Sequence, residues 1–232
     1  EVDKPTMEVD WKELQRYKEW KTTRGSLKQY RDEMFGPGFH ETILSNQKSD
    51  LTRWEKEGKS GYKTLDVAFK KAAGTARAPF QFRGPMNATT PADRGAPRYE
   101  GTPEENSRII TAAARHLGAA TVGFVELDDE TTRKLIYDEQ PNRDNRKIIF
   151  ENIDEGYITD DLIVIPRKAR YAISFTTQMS GETMQRCPTL TGGNTTGLSY
   201  TRMWNTYAQL HEFIRGIGWN SYGTTSFNRS EE

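Results

Sequence analysis

Between Gly74 and Gly101 the chain reads GTARAPFQFRGPMNATTPADRGAPRYEG, with Pro79, Pro85, Pro91 and Pro97 at six-residue intervals among glycines. Proline lacks a backbone N–H and fixes φ, so neither a helix interior nor a central strand can run through this stretch. It predicts an extended, irregular segment ordered by draping over a neighbour, and it divides the chain. The two sides differ in composition. Leu, Ile, Val and Phe number 14 in residues 1–100 and 27 in residues 101–232. The expected organisation is therefore a loop-rich segment with short helices over 1–100 and a main α/β (α+β) domain over 101–232. Two readings of the proline-rich stretch stay open: a structural covering, or a covering whose Phe80, Phe82 and Tyr99 line a pocket.

Helical spacing in the first half is short-range: Trp11, Leu14, Tyr17 and Trp20, then Leu65, Phe69 and Ala72. The second half opens on a stronger signal. Thr102 and Glu105 have capping-box spacing, Pro103 occupies the first helical position, and Gly118 closes a helix whose apolar face is Ile109, Ile110, Ala113, Ala114 and Leu117. AATVGFVEL at 119–127 predicts a buried strand, KLIY and KIIF a hairpin about the turn at 141–145, and ARYAISFTTQ at 169–178 a second strong strand. SGETMQRCP predicts a short helix stopped by Pro188, and TLTGGNTTG a small-residue loop. A long helix from Leu198 to about Arg215 follows, with Met203, Tyr207, Leu210, Ile214 and Ile217 at helical spacing; WNSY then predicts a final strand. A strand this near Glu232 leaves a mixed sheet without its last covering helix. The chain is accordingly expected to be the amino-terminal portion of a longer protein.

Charge excludes several partners. Thirty-three basic and thirty-three acidic residues cancel, with no run of five like charges, which argues against a nucleic-acid surface. No apolar stretch is long enough to span a bilayer. The single cysteine, Cys187, cannot form an intrachain disulfide or ligate an iron–sulfur cluster without other chains or segments. HExxH, CxxC, GxSxG and P-loop patterns are all missing. His40, His116 and His211 are scattered, and the latter two read as surface or capping residues rather than metal ligands. GGNTTG at 192–197 reads as a plain loop or as a cradle for a phosphate or cofactor edge. Tyr200, placed by this reading in the first turn of the long helix, is either a packing residue or a proton donor whose phenolate the helix terminus stabilises.

Four segments in order, TTPADRGAPRYEGTPEEN, TPEENSRIITAAARHLGAATVGFVELD, VIPRKARYAISFTTQMS and GLSYTRMWNTYAQLHEFIRGIGWNSYG, resemble the corrinoid-dependent respiratory reductive dehalogenases of organohalide-respiring bacteria. The first looks most like the branch acting on chlorinated ethenes. The resemblance implies a nitroreductase-like, cobalamin-processing-like layered fold holding a base-off corrinoid. It implies that Tyr200, within SYTRM, is the proton donor, that Thr196 and Met203 line the corrinoid pocket, and that Asn228 is an active-site asparagine. It further implies two iron–sulfur clusters, a small organohalide substrate, a cleaved twin-arginine export signal, and attachment to the outer face of the cytoplasmic membrane by a small anchor protein. In the family the tyrosine's basic partner, most of the corrinoid-binding half and both cluster motifs would lie after Glu232. A noncatalytic corrinoid-binding or assembly module is the alternative, and a flavin-binding nitroreductase relative a third reading; oligomeric state is left open.

Overall fold

The computed structural model describes residues 8–14, 27–67, 81–136 and 146–223. Within them lie α1 (Leu27–Phe35), α2 (Phe39–Lys56), α3 (Pro103–His116), β1 (Thr121–Glu126), β2 (Lys147–Glu151), β3 (Tyr157–Ile158), β4 (Leu162–Pro166), β5 (Tyr171–Thr176), α4 (Gly181–Met184) and α5 (Leu190–Gly216). The content is α+β. Two compact units are each built from two stretches of chain: Glu1–Arg31 with Val125–Ala172, and Asp32–Phe124 with Ile173–Glu232. The expected helical residues Tyr17, Trp20, Phe69 and Ala72, the pocket candidate Phe80 and the turn at 141–145 fall outside the described residues.

The first unit is organised by a strand that the sequence pattern does not single out. Leu162–Pro166 is an unbroken apolar run, and Ile163, Val164, Ile165 and Pro166 are buried. Such a run belongs in the centre of a sheet. β2 pairs with it in parallel, Lys147 opposite Leu162 and Glu151 opposite Pro166, and β3 pairs antiparallel, Tyr157 opposite Val164. The sheet is mixed, as expected, with order β2–β4–β3. Among the described residues the expected KLIY–KIIF hairpin is not formed: KIIF lies in β2, but Thr132–Leu135 is a 3-10 turn. The cause is local. Asp128 Oδ1 accepts the N–H groups of Glu130 and Thr131, and buried Thr132 donates its hydroxyl to Glu126 O at 2.6 Å while accepting from Asp128 N. Side chains that capture nearby backbone donors compete with ladder formation. Arg133 then ties the turn down, donating to Asp129 at 2.6 Å and to Arg167 O at 2.8 Å.

β1 and β5 form a two-stranded ribbon. Ala120 N donates to Thr176 O and Leu127 N to Arg170 O, so the strands run antiparallel. Neither contains a fully buried residue, which corrects the expectation of a buried first strand. The inward residues Val122, Ile173 and Phe175 pack on a core of Ala114, Ala119, Leu210 and Ile214 in the second unit.

That core joins α3 to α5. The α3 boundaries are as the sequence predicts: Thr102 and Glu105 make a reciprocal capping box, Pro103 opens the helix, and Gly118 follows it at φ +114°. Thr206 Oγ1 on α5 donates to Leu117 O at 2.8 Å, satisfying a carbonyl at the α3 end.

α5 departs from expectation at its start. TLTGGNTTG is no loop; Thr189 caps the helix and Leu190–Gly216 is continuous. Glycine costs about 1 kcal/mol in a helix interior, so the local pattern argues for a loop. Packing overrides it: a Cβ at Gly192 would lie 2.6 Å from Cys187 N, and only glycine allows that approach. Leu190 N donates to Gly61 O at 2.9 Å and Tyr62 Oη to Pro188 O at 3.2 Å, closing the same end. From Leu190 to Gly216 only Arg202 and Gln209 are exposed. A helix covered all round is a central element.

The proline-rich stretch supplies part of that cover. Its described portion lies along α5: Tyr207 Oη donates to Gln81 O at 3.0 Å, Arg215 Nε to Ala88 O at 2.8 Å, and Glu212 accepts from Ala88 N. Phe82 is buried against Tyr222, and Tyr99 N donates to Ile217 O. The expected strand at WNSY is replaced by an irregular tail that turns back onto these groups. Trp219 Nε1 donates to Tyr99 O at 2.8 Å and Gly223 N to Phe82 O at 2.7 Å, hydrogen bonds that take the place of a ladder.

Candidate functional site

Tyr200 sits eleven residues into α5, in its third turn. The helix-terminus potential falls off within the first turn, so the terminus does not stabilise a phenolate here. This corrects the electrostatic reading of the sequence while leaving the residue itself in a defined place. Thr196, Tyr200 and Met203 are spaced four and three apart, share one face of α5, and are each half-buried. Asn228 lies outside the described residues.

The turn that carries Tyr200 is held from both sides in sequence. Ser199 Oγ lies 2.8 Å from Thr177 Oγ1, which also donates to Ser199 O at 3.1 Å. Thr195 Oγ1 accepts from Ser180 N at 2.8 Å, and Thr201 donates back to Gly197 O at 3.1 Å. The neighbours of Tyr200 thus anchor the helix to the segment after β5. Asn194, 3% exposed, has a buried Oδ1 without a hydrogen-bond donor among the described residues.

The same helical face continues to a polar cluster that the sequence reading missed. His211 is buried, 6% exposed, with Nδ1 2.7 Å from Ser221 Oγ and its ring centroid 4.3 Å from that of Tyr207. It is therefore no surface residue. The available signal was spacing: His211 follows Tyr207 by four and precedes Ile214 by three, on the apolar stripe. Burial pushes His211 down to about 4 and raises the Tyr207 phenol above its ordinary range, so both are neutral near pH 7. Gly84 is the reason the ring is enclosed, since a Cβ there would lie 2.4 Å from His211 Cβ. His116 is exposed at the end of α3, and His40 is half-buried in the first turn of α2. Among the described residues no group of three His, Cys, Asp or Glu is placed to hold a metal ion.

His211 makes stability depend on acid in a defined window. Its folded value of about 4 lies below the unfolded 6.5, so the unfolded chain binds the extra proton. The neutral form's contribution is complete above pH 6.5 and is lost as pH falls towards 4, about 3 kcal/mol in all. Unfolding free energies at several pH values are expected to fall across that window, and His211→Gln to flatten the slope. An unchanged slope would place the titration elsewhere. Asp128, held at about 2 first by the Thr131 hydroxyl against an ordinary 3.8, acts only at lower pH.

A family model described as "Reductive dehalogenase subunit" matches residues 1–230. The chain belongs to the reductive dehalogenase family. Curated relatives agree. A "Chloroethene reductive dehalogenase" of Dehalococcoides mccartyi (strain VS) is 29% identical over 188 residues, 64% of this chain and 36% of the relative. A "Trichloroethene reductive dehalogenase" of another strain of that species is 27% identical over 157 residues, 55% of this chain and 28% of the relative. This dehalogenase chain thus aligns with about a third of the length of the curated relatives it matches. Among its described residues no helix is long and apolar enough to cross a membrane.

Proposed function

We propose that this chain is the amino-terminal and partial cobalamin-binding region of a reductive dehalogenase that removes halide from small organohalides such as chlorinated ethenes. The observation that carries the reading is the family match over residues 1–230, with both relatives named for chloroethenes. Residues 101–232 then belong to a nitroreductase-like, cobalamin-processing-like domain, with 1–100 as its amino-terminal segment.

The residues present fit a corrinoid in kind. The Thr196–Tyr200–Met203 face carries no charge, which suits a macrocycle rimmed by neutral carboxamides. Thr196 and Met203 would line the pocket. A bound corrinoid supplies the reduction that breaks the carbon–halogen bond. Tyr200 Oη gives a proton to the carbon that loses halide, so that two electrons and one proton convert R–X into R–H and X⁻. Asn228 would be an active-site asparagine, as the family resemblance implies. The half-burial of this face limits water around the tyrosine. Iron–sulfur clusters do not fit this chain's own residues, because a cluster takes about four thiolates and the sequence has only Cys187. Cluster ligands therefore come from elsewhere in the complete protein. Export by a twin-arginine signal and docking of the mature enzyme to a small anchor protein on the outer membrane face complete the proposal.

Anaerobic titration of this chain with cobalamin, following the cobalt absorption bands and thermal stability together, tests the reading. Saturable binding with a base-off spectrum and a raised melting temperature is expected. Absence of binding both here and in the complete natural protein would overturn the corrinoid assignment; corrinoid binding without halide release by the complete protein would overturn the catalytic one.

A further inference from the structure

The face of α5 away from Tyr200 borders a recess of about 460 Å³. Residues two apart on a helix point about 200° from one another, so Arg202 faces away from Tyr200. The recess is lined by Arg202, Asn205 and Thr206 from α5, by Arg115 and the 117–120 turn after α3, and by Gln178 after β5. Two guanidinium groups from different helices thus border one concavity. No carboxylate lines it, and neither arginine has an acidic partner among the described residues. This local surplus of two positive charges stands out in a chain whose net charge is zero.

The donors that remain in the lining are on side chains. Backbone N–H groups of Leu117, Gly118, Ala119 and Ala120 are all used internally, and Leu117 O is taken by Thr206. Arg202 Nη1 reaches Gln178 O at 3.4 Å, which holds the guanidinium at the rim, and the side chain makes no other hydrogen bond among the described residues. The Arg115 side chain makes no hydrogen bond among the described residues. Each guanidinium is a planar fork that matches a pair of oxygens. A carboxylate offers one such pair. A tetrahedral phosphate offers different oxygen edges to two forks and carries nearly two charges near neutrality. The volume exceeds what inorganic phosphate requires and lies in the range of small-molecule sites.

We infer that this recess binds the phosphate group of a small phosphorylated molecule, with Arg115 and Arg202 as its ligands. The site is separate from the Tyr200 face and does not depend on the dehalogenation reading. Thermal unfolding and isothermal titration of the complete natural protein with inorganic phosphate, glycerol phosphate, acetate and chloride, at constant ionic strength, test it. Both phosphates are expected to raise the melting temperature and to bind saturably, with glycerol phosphate tighter, while acetate and chloride do neither. Arg115→Gln and Arg202→Gln are each expected to weaken binding by about tenfold or more. Arg53→Gln, which breaks an exposed pair with Asp50 on α2, is expected to leave binding unchanged. Equal shifts with chloride, acetate binding as tightly as phosphate, or full phosphate affinity in either recess variant would overturn the assignment.

Discussion

Tyr200→Phe in the complete enzyme is expected to lower halide release by about two to four orders of magnitude, the usual contribution of a placed proton donor. Corrinoid content and melting temperature are expected to change little, since the exchange removes one oxygen from a half-buried ring. The position in the third turn of α5 adds a second expectation. Because the start of its own helix is more than two turns away, the proposed donor role requires that a cation elsewhere in the complete enzyme stabilise the phenolate. Turnover against pH should therefore report the tyrosine together with that cation, as a coupled pair. Steady-state rates and product deuterium content in D₂O would separate the possibilities. More than about a tenth of wild-type turnover in the Phe variant would remove Tyr200 from the proton-transfer step.

Gly84→Ala carries the largest expected loss of stability. Two costs coincide at this residue. Its φ of +72° lies in the left-handed region, where a Cβ costs about 1–2 kcal/mol. The added methyl would also stand 2.4 Å from His211 Cβ, and relieving such overpacking typically costs about 1–3 kcal/mol. Together they predict a loss of about 2–5 kcal/mol. Gly95 isolates the first cost. It has φ +67°, yet nothing lies within 4 Å of its would-be Cβ, so Gly95→Ala should lose only the backbone share. Denaturant unfolding of both variants is decisive by difference. Equal losses would mean that the proline-rich stretch does not press on α5 in solution.

The contrast between α3 and α5 explains how much the sequence discloses. The α3 limits are legible because every determinant is local: Thr102, Pro103 and Glu105 act within one turn. The start of α5 is not, because Gly192 is required by Cys187, a contact with the turn that follows the short α4 and one not recorded in helical propensity. β4 escapes for a related reason. A short apolar run ending at Pro166 has no alternation to mark it as a strand, and its partners Lys147–Glu151 and Tyr157–Ile158 have to be known before its place is evident. At the site, the spacing of Thr196, Tyr200 and Met203 was readable and the family resemblance gave it meaning. His211 was misread because a lone polar residue on an apolar stripe is enclosed only when Gly84 and Ser221 arrive from distant positions.

The enclosure of α5 also bears on how this chain can be altered, by drift or by hand. With Arg202 committed to the recess, Gln209 is the one remaining exposed position along the 27-residue helix. Neutral variation along this rod should concentrate there, while the other positions change only in concert with the strands and loops that touch them. For the same reason a reporter dye or spin label attached at residue 209 would follow movements of the tyrosine-bearing helix without displacing any of its neighbours.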